Sequence, residues 1–508
     1  MGSAGKRIIH SITTEERMKR FVLILSLAFL ACLCFGRQEN ILTIAHFSSA
    51  LNREKSFKIY IPPDAGLQER FPVLFILHGA YGSCEDWVKK TNVADLADRF
   101  RMILVFPDGS QFGWYVDSPL EKDMQYETYI SKEIVQFVDS KYPTVAKREA
   151  RGIMGLSMGG HGALLLAAKH PDIFGSASSL SGILKITNHP DKWQIAGRLG
   201  ALAENRAVWE ANCVWDQAPR FKDANVRILF DCGVDDTQTG AIGDNRELHE
   251  RFKTMAIPHI WREMPGTHSW DYWQGHLEEH LNFHQAAMLD ATPKSEGWNR
   301  HYFERMRKFL EENALLAIQP ETTPTVCLLG SSSFEGFPTQ LLPGYHVFNR
   351  GISGDTLGTG DRGLSHRLEC SVFDMNPDFV FIMNGRNDLA NRHSTGKPSI
   401  ERMIEEYDKI LAAIRKRLPE TRVCMIACPP VRDKYAHLAS ATASYNMELK
   451  NLAKKYEVPI LDIHSRLVGE DGLLKPEYSR DGLHITRKGY EILAGMMLEA
   501  MKKGSSEQ

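Results

Sequence analysis

Ser157 lies in the sequence GLSMG at residues 155–159, whose residue types suit a serine nucleophile. An apolar run precedes it and a helix-like run follows it, so we expect a sharp turn between a strand and a helix. Such a turn exposes the serine hydroxyl, and the small flanking residues allow it without steric clashes. The pattern predicts that Ser157 attacks a carbonyl carbon and forms an acyl-enzyme intermediate.

A nucleophilic serine needs a histidine base and a carboxylate that orients the histidine. His268 follows the strand-like run HIWREM, and two acids, Asp235 and Asp236, follow the run RILFDC. These positions give the chain order serine, acid, histidine that an α/β-hydrolase uses. We therefore predict His268 as the base and Asp236 as the orienting acid, with Asp235 as the alternative.

The tetrahedral intermediate of acyl transfer needs N–H donors for its negatively charged oxygen. We predict that these are the backbone N–H of Met158, which follows the nucleophile, and that of Ala80, which follows the strand-like run VLFILHG. Trp270 and Trp273 lie close to His268 in the sequence. Their types are compatible with a platform that stacks on sugar rings and equally with buried packing.

The motifs HG (78–79), GLSMGG (155–160), GVDD (233–236) and GTHSWDYW (266–273) occur in this order within about residues 45–288. In this they resemble the esterase D-like hydrolases, which include carbohydrate esterase family 1 feruloyl and acetylxylan esterases, short-chain tributyrin-type esterases and formylglutathione hydrolases. The resemblance implies a secreted esterase that acts on small acyl groups, often on glycans. The formylglutathione branch is cytosolic, and the leader described below argues against it.

Four further blocks, LGSSSF (329–334), NRGISGD (349–355), GRND (385–388) and SRDGLH (479–484), occur in the C-terminal part. Together they resemble the SGNH, or GDSL-like, hydrolases over about residues 300–502. One departure is visible, because the usual Gly-Asp-Ser is Gly-Ser-Ser here. Related branches carry this version, so we expect an active enzyme.

The SGNH resemblance implies a second set of catalytic residues. Ser332 would be the nucleophile, His484 its base and Asp481 the acid that orients the histidine, although Ser331 and Ser333 remain alternative nucleophiles. The oxyanion would be bound by the N–H groups of Ser332 and Gly354 and by the side-chain amide of Asn387.

Two other patterns are interpreted as structural. The G-x-G-x-x-G at 358–363 does not directly follow a strand, so we predict no dinucleotide cofactor. The H-x-x-E-H at 276–280 forms, with His284, one face of a helix. We interpret that face as partly solvated and predict no metal.

The surrounding sequence alternates short apolar runs with helix-like stretches, which is typical of parallel sheets covered by helices. This alternation fades after residue 288 and resumes after about residue 320. We therefore predict two α/β domains: an α/β-hydrolase fold at 38–290 and an SGNH, flavodoxin-like α/β/α domain at 296–508.

The N-terminal residues 1–36 resemble a signal peptide. An apolar run of 14 residues, 21–34, follows Lys19 and Arg20, and residues 1–17 are interpreted as an extension upstream of a start at Met18. We expect a secreted or periplasmic protein. A lipid on Cys32, which would make it a surface lipoprotein, is the alternative and the one route to membrane association.

The chain has 508 residues, a formal net charge of −2 and 43% hydrophobic residues, an ordinary globular composition without the basic excess of a nucleic-acid-binding protein. We predict a two-domain serine carboxylesterase that removes acetyl or feruloyl groups from acylated poly- or oligosaccharides such as xylan, without cofactor or metal. Three alternatives are a single active esterase with a silent glycan-binding SGNH domain, a sialate O-acetylesterase and a sugar acyltransferase.

Overall fold

A computed structural model describes residues 41–63, 69–293, 300–319, 321–360, 362–390 and 398–503. The predicted signal peptide, with Cys32, and the predicted domain boundary near residue 295 lie outside the described residues. Among the described helices, none is both long and apolar enough to cross a membrane.

Two separate sheets organise the described residues. The first has eight strands in the order β1-β2-β4-β3-β5-β6-β7-β8. β1 and β2 are antiparallel to their neighbours, and the other strands are parallel. The strands are β1 (Ile41–Ser48), β2 (Arg53–Tyr60), β3 (Val73–Leu77), β4 (Ile103–Phe106), β5 (Arg151–Leu156), β6 (Ser176–Leu180), β7 (Arg227–Gly233) and β8 (Ile260–Met264).

Every residue of the central strands β3, β4, β5 and β6 is buried, because helices cover both faces of the sheet. A π-helical segment covers Tyr129–Ile134. The helices of this half are α1 (Asp86–Lys90), α2 (Val93–Ala97), α3 (Tyr126–Thr128), α4 (Val135–Lys141), α5 (Met158–Lys169), α6 (Ile195–Leu199), α7 (Leu202–Ala211), α8 (Val214–Gln217), α9 (Ala241–Thr254) and α10 (Trp270–Ala287).

The second sheet has five parallel strands in the order β10-β9-β11-β12-β13. This is the flavodoxin-like order 2-1-3-4-5. The strands are β9 (Thr325–Gly330), β10 (His346–Gly351), β11 (Phe379–Met383), β12 (Arg422–Ile426) and β13 (Ile460–Leu461). The helices are α11 (Arg300–Leu316), α12 (Ser332–Glu335), α13 (Leu368–Ser371), α14 (Arg386–Leu389), α15 (Ile400–Arg417), α16 (Ala439–Tyr456), α17 (Ile463–Leu467) and α18 (Arg487–Lys503).

Both predicted fold classes are therefore confirmed: an α/β-hydrolase fold is followed by an SGNH-like α/β/α fold. The two halves share one apolar cluster, to which α10 contributes Leu281, α11 contributes Phe309, and Ile352 belongs to the second half. A buried ion pair also joins them, since Arg262 of β8 donates to both carboxylate oxygens of Asp374, at 2.7 and 3.0 Å.

Candidate active sites

Ser157 occupies a strained turn between β5 and α5. Its backbone angles are φ 54° and ψ −117°, a conformation that residues other than glycine rarely adopt. The turn is held because the Ser157 N–H donates to the carbonyl of Leu180 at the end of β6, at 2.9 Å. Strain of this kind persists where the surrounding structure fixes it, and it is frequent at active sites.

The two glycines that flank Ser157 are required by close backbone contacts. A Cβ on Gly155 would lie 2.4 Å from the carbonyl oxygen of Gly159. A Cβ on Gly159 would lie 2.5 Å from the carbonyl oxygen of Leu77 and 2.6 Å from that of His78. The start of α5 therefore packs directly on the end of β3, which brings the two predicted oxyanion segments together.

The three predicted residues of the first site form one hydrogen-bonded chain. His268 Nε2 lies 2.9 Å from Ser157 Oγ, and His268 Nδ1 lies 2.6 Å from Asp236 Oδ2. Asp236 is buried, and its other oxygen accepts a hydrogen bond from the Thr239 hydroxyl. Asp235 is exposed, so Asp236 is the acid that contacts the histidine.

His78 fixes the loop that carries Ala80. Its Nε2 accepts a hydrogen bond from the Gly109 N–H at 2.8 Å, and its Nδ1 lies 2.8 Å from the Gly79 carbonyl. Burial lowers the pKa of His78, which keeps the ring neutral and suits this pairing. A Cβ on Gly79 would lie 3.4 Å from the Cβ of Ser157. Gly79 therefore lies beside the serine, and Ala80 is the next residue in the chain.

Met158 is the first residue of α5, and its N–H is one of the groups that a helix leaves without an intrahelical partner. The positive end of the helix dipole adds to the attraction for an anion at this point. The two predicted oxyanion donors thus lie on the two segments that meet at Ser157.

The two predicted tryptophans have different environments. Trp273 is only 6% exposed, and its ring packs edge-on against His268 with the ring centroids 5.0 Å apart. Trp270 is partly exposed and packs between Trp273 and Trp87. Trp273 therefore corresponds to the buried-packing alternative, because its ring offers almost no surface to a sugar, while a stacking role for Trp270 stays a prediction.

The second predicted set forms a similar chain at the carboxyl edge of the second sheet. His484 Nε2 lies 2.9 Å from Ser332 Oγ, and His484 Nδ1 lies 2.6 Å from Asp481 Oδ2. Partial burial opposes ionisation of Asp481, but hydrogen bonds from the side chain and backbone of His484 and from the Leu483 N–H hold its pKa below the usual range. The His484 and Asp481 side chains are 42% and 48% exposed, so this site is more open than the first.

Of the three consecutive serines, Ser332 contacts the histidine. Ser331 is buried, and the Ser333 hydroxyl accepts a hydrogen bond from Arg386 at 2.6 Å. The hydroxyl of Tyr490 donates to the Ser333 carbonyl at 2.7 Å. These contacts hold Ser333 in the interior.

Gly354 and Asn387 lie beside each other in the second site. Gly354 has φ 80°, a conformation that glycine adopts without strain. The Asn387 amide donates one N–H to the carbonyl of Asp355 at 2.8 Å, and an amide nitrogen carries a second N–H. The structure thus brings Asn387 next to the loop of Gly354, as the oxyanion prediction requires.

Arg367 is a buried residue of this site that the sequence did not reveal. Its guanidinium donates to Asp355 Oδ2 at 2.7 Å and to the carbonyls of Gly330 and Arg350 at 3.0 and 2.9 Å. It therefore ties the strand that precedes the serines to the loop of Gly354. Such contacts join residues that are far apart in the sequence, and no local sequence pattern predicts them.

The interpretation of the H-x-x-E-H face as partly solvated is wrong for His280 and His284, whereas His276 and Glu279 are partly exposed. His280 and His284 are fully buried against β6 and β7. His280 Nε2 lies 2.8 Å from Asp231 Oδ2, and the Ser178 hydroxyl lies 2.8 Å from His280 Nδ1 and 2.9 Å from His284 Nε2. Glu279 accepts a hydrogen bond from Arg262. Polar residues can occupy this buried part of the helix because β6 and β7 beneath it supply hydrogen-bonding partners.

Known proteins resemble both halves of the chain. Residues 48–284 match the family described as "Putative esterase", and residues 325–492 match the GDSL-like lipase/acylhydrolase family. An acetyl esterase from Caldicellulosiruptor saccharolyticus is 28% identical over 259 residues, 47% of this chain and 95% of that protein. An S-formylglutathione hydrolase from Arabidopsis thaliana is 26% identical over 48% of this chain and 92% of that protein. A solved ferulic acid esterase is 26% identical, with a TM-score of 0.42. The match covers 49% of this chain and 98% of the chain of that esterase.

The fold and these matches define the protein as a carboxylic ester hydrolase of the serine type. It joins an esterase domain to a GDSL-like lipase/acylhydrolase domain. Both family resemblances inferred from the sequence are therefore confirmed.

Proposed function

We propose that this protein is a secreted esterase that removes acetyl or feruloyl groups from carbohydrates such as xylan, with one Ser-His-Asp triad in each domain. The observation that carries the proposal is the presence of two separate serine–histidine–aspartate chains. In each, the serine and the carboxylate lie 2.9 and 2.6 Å from the two nitrogens of one histidine. This is the geometry that a serine nucleophile needs.

In the first site, His268 Nε2 takes the proton from Ser157 as the serine attacks the ester carbonyl. The N–H groups of Ala80 and Met158 stabilise the negatively charged oxygen of the tetrahedral intermediate. The intermediate collapses to the acyl-enzyme, and His268 gives its proton to the leaving alcohol. Water then attacks with His268 again as base, which releases the acid and restores Ser157. Asp236 fixes the imidazole and stabilises its charged form.

The second site follows the same steps with Ser332, His484 and Asp481. Its oxyanion is bound by the N–H groups of Ser332 and Gly354 and by the second N–H of the Asn387 amide. The exposure of this triad supports a substrate in which the ester protrudes from a large molecule, because such an ester reaches the serine without burial of the whole substrate.

The acetyl group in the proposal is supported by one relative, since the chain is similar to an acetyl esterase. The proposal extends from there to feruloyl groups and to carbohydrate, which the release of acids described below tests. The leader predicted at residues 1–36 is consistent with this proposal, since an exported esterase meets extracellular polymers. Export is tested by the N-terminus of the mature protein, which we expect after Gly36.

Ser157→Ala and Ser332→Ala, made separately and together, test the proposal. We expect each single variant to keep part of the release of acetate or ferulate from acylated xylo-oligosaccharides and the double variant to release neither acid. Ser140→Ala in α4 and Ser444→Ala in α16 are matched controls, because both serines are exposed on helices. They should release acid at the wild-type rate.

Each contrary result has one meaning. Release of acid by the double variant would refute the two triads as the reactive sites. Loss of all turnover in Ser157→Ala alone would favour a silent second domain. Formation of a newly acylated sugar in place of free acid would identify an acyltransferase. Activity on simple esters without any release from glycans would refute the carbohydrate substrate.

A further inference from the structure

Tyr81 combines two features that are each unfavourable for a large aromatic residue. Its side chain is 70% exposed, and its backbone φ is +64°. Exposure forgoes the free energy of burying the ring, and a positive φ strains any bulky residue. Neither cost is compensated by packing of Tyr81 into the core.

Tyr81 belongs to the chain segment that carries a proposed oxyanion donor of the first site. It follows Ala80, whose N–H is one of the proposed oxyanion donors, and the preceding Gly79 approaches the Ser157 side chain. A substrate whose carbonyl carbon reaches Ser157 therefore extends past this segment of the chain.

The ring of Tyr81 is held in place rather than free to turn away. Phe112 packs edge-on against it, with the ring centroids 4.7 Å apart and the planes at 80°. The Tyr81 N–H donates to the carbonyl of Gln111 at 3.0 Å. The loop of Phe112 is fixed in turn, because Gly109 donates to the buried His78 and the hydroxyl of Tyr115 donates to the His78 carbonyl at 2.9 Å.

The same loop holds further residues in the left-handed region. Ser110, Trp114 and Tyr115 have φ values of 59°, 54° and 58°. Trp114 and Tyr115 are buried in the core, so they anchor the loop that carries Phe112. Strained residues persist where the surrounding structure fixes them, and they are frequent at active sites. The loop that supports Tyr81 is thus fixed before any substrate arrives, which lowers the entropy lost on binding.

We propose that Tyr81, supported by Phe112, is a stacking subsite for a sugar ring of the substrate, an inference that rests on the proposed function of the first site. The carbonyl carbon must reach Ser157, and in an acetyl ester the alcohol is the only portion large enough to extend from there to an exposed ring two residues beyond Gly79. A pyranose presents a face of C–H groups that packs on an aromatic ring. The Tyr81 hydroxyl remains in water or binds sugar hydroxyls.

The test compares two acetyl esters in a Ser332→Ala background, so that only the first site is measured. One is acetylated xylobiose and the other is ethyl acetate, which has no ring; the acyl group is the same. We expect Tyr81→Ala to lower the ratio of kcat/KM for the sugar ester to kcat/KM for ethyl acetate by about fivefold to tenfold, the size of an aromatic contact. Tyr81→Phe should keep most of the ratio.

Phe47→Ala provides the matched control. Phe47 is 64% exposed on β1, which is three strands away from β3 in the sheet. Its replacement should leave the ratio unchanged. Tyr81→Gly separates binding from structural damage: glycine relieves the positive φ, so we expect a higher melting temperature together with the lower ratio.

The outcomes distinguish this inference from the proposed function. No acetate from acetylated xylobiose with Tyr81 intact would refute the carbohydrate function of this site, and the subsite with it. Acetate release with an unchanged ratio in Tyr81→Ala would refute the subsite alone. An equal loss of activity on the sugar ester and on ethyl acetate, in both Tyr81→Ala and the more stable Tyr81→Gly, would also refute the subsite. Tyr81 would then affect the reaction itself rather than the binding of the sugar.

Discussion

Gly159→Ala and Gly275→Ala make the same chemical change in two helices and should have opposite effects. At Gly159 the new Cβ would lie 2.5 and 2.6 Å from the carbonyl oxygens of Leu77 and His78. These are backbone atoms that cannot rotate away, so the end of β3 has to move. Gly275 is exposed on α10, and a Cβ there meets no atom within 4 Å.

The expected magnitudes follow from these contacts. Overpacking at Gly159 should lower the free energy of unfolding by about 1–3 kcal/mol. Gly275→Ala should raise it by about 0.5–1 kcal/mol, the usual gain of alanine over glycine in a helix. Because β3 leads into the segment of Ala80, we also expect Gly159→Ala to reduce turnover at the first site by about 100-fold, the loss that follows removal of one oxyanion donor.

Differential scanning calorimetry measures the two stabilities, and ester hydrolysis in a Ser332→Ala background measures the turnover of the first site. Gly275→Ala should keep wild-type turnover. If Gly159→Ala were as stable and as active as Gly275→Ala, the close packing of α5 on the end of β3 would be refuted. A stable but inactive Gly159→Ala would instead locate the whole effect in the oxyanion loop.

Three further sets of variants test other parts of the structure. Burial raises the pKa of Asp388 to about 7, so the folded protein keeps a proton that the unfolded chain loses near pH 4. The free energy of unfolding should therefore fall as the pH rises from 4 to 7, by at most about 1.4 kcal/mol per pH unit, and denaturant titrations should show a smaller fall for Asp388→Asn. Arg262→Met leaves the buried carboxylate of Asp374 without its main partner and also removes a hydrogen bond to Glu279. Calorimetry should show a loss of about 3–5 kcal/mol, of which Arg262→Met/Asp374→Leu restores the part due to Asp374. In single-site backgrounds, Asp236→Asn should reduce turnover by up to about 10⁴-fold, whereas Asp481→Asn should cost less, since water reaches its exposed histidine.

Each of these expectations has a contrary result. A pH dependence of stability that is the same in Asp388→Asn and in the wild type would assign the effect to another group. A double variant no more stable than Arg262→Met would mean that the lost stability does not come from the unpaired carboxylate of Asp374. Equal losses in Asp236→Asn and Asp481→Asn would show that solvent exposure does not relieve the loss of the acid.

Much of the fold and of both candidate sites could be predicted because they depend on local patterns and on chemical type. Ser157 lies in a strand, a turn and a helix in direct succession, and each of these elements has a recognisable sequence pattern. Its partners could be predicted because few residue types act as base or orienting acid, and their order along the chain is restricted. The preference for Asp236 over Asp235 depended on spacing, and the structure brings Asp236 to the histidine.

The remaining contacts could not be predicted because they pair residues that are distant in sequence. The period of His276, His280 and His284 indicates one helix face, but it does not say whether that face meets water or a sheet. Asp231 and Ser178 decide this, since they supply polar partners from the strands beneath. Arg367 is a similar case: a buried arginine and an exposed one look alike in a sequence, and only the meeting of three segments around it distinguishes them.

The two sites differ in how rigidly they are enclosed, and this difference bears on selectivity. The first has a buried acid, a histidine whose side chain is 21% exposed and a loop fixed by hydrogen bonds to His78, so its groups cannot adapt to a substrate without cost. The second has an acid that is 48% exposed and accepts hydrogen bonds from backbone N–H groups, and its histidine is 42% exposed. A fixed wall discriminates among substrates because a poor fit leaves contacts unmade, whereas an open site makes fewer contacts to lose. We therefore expect the first site to select among esters and the second to accept a wider range, a combination that suits the proposed substrate, a polymer whose esters occur in different surroundings.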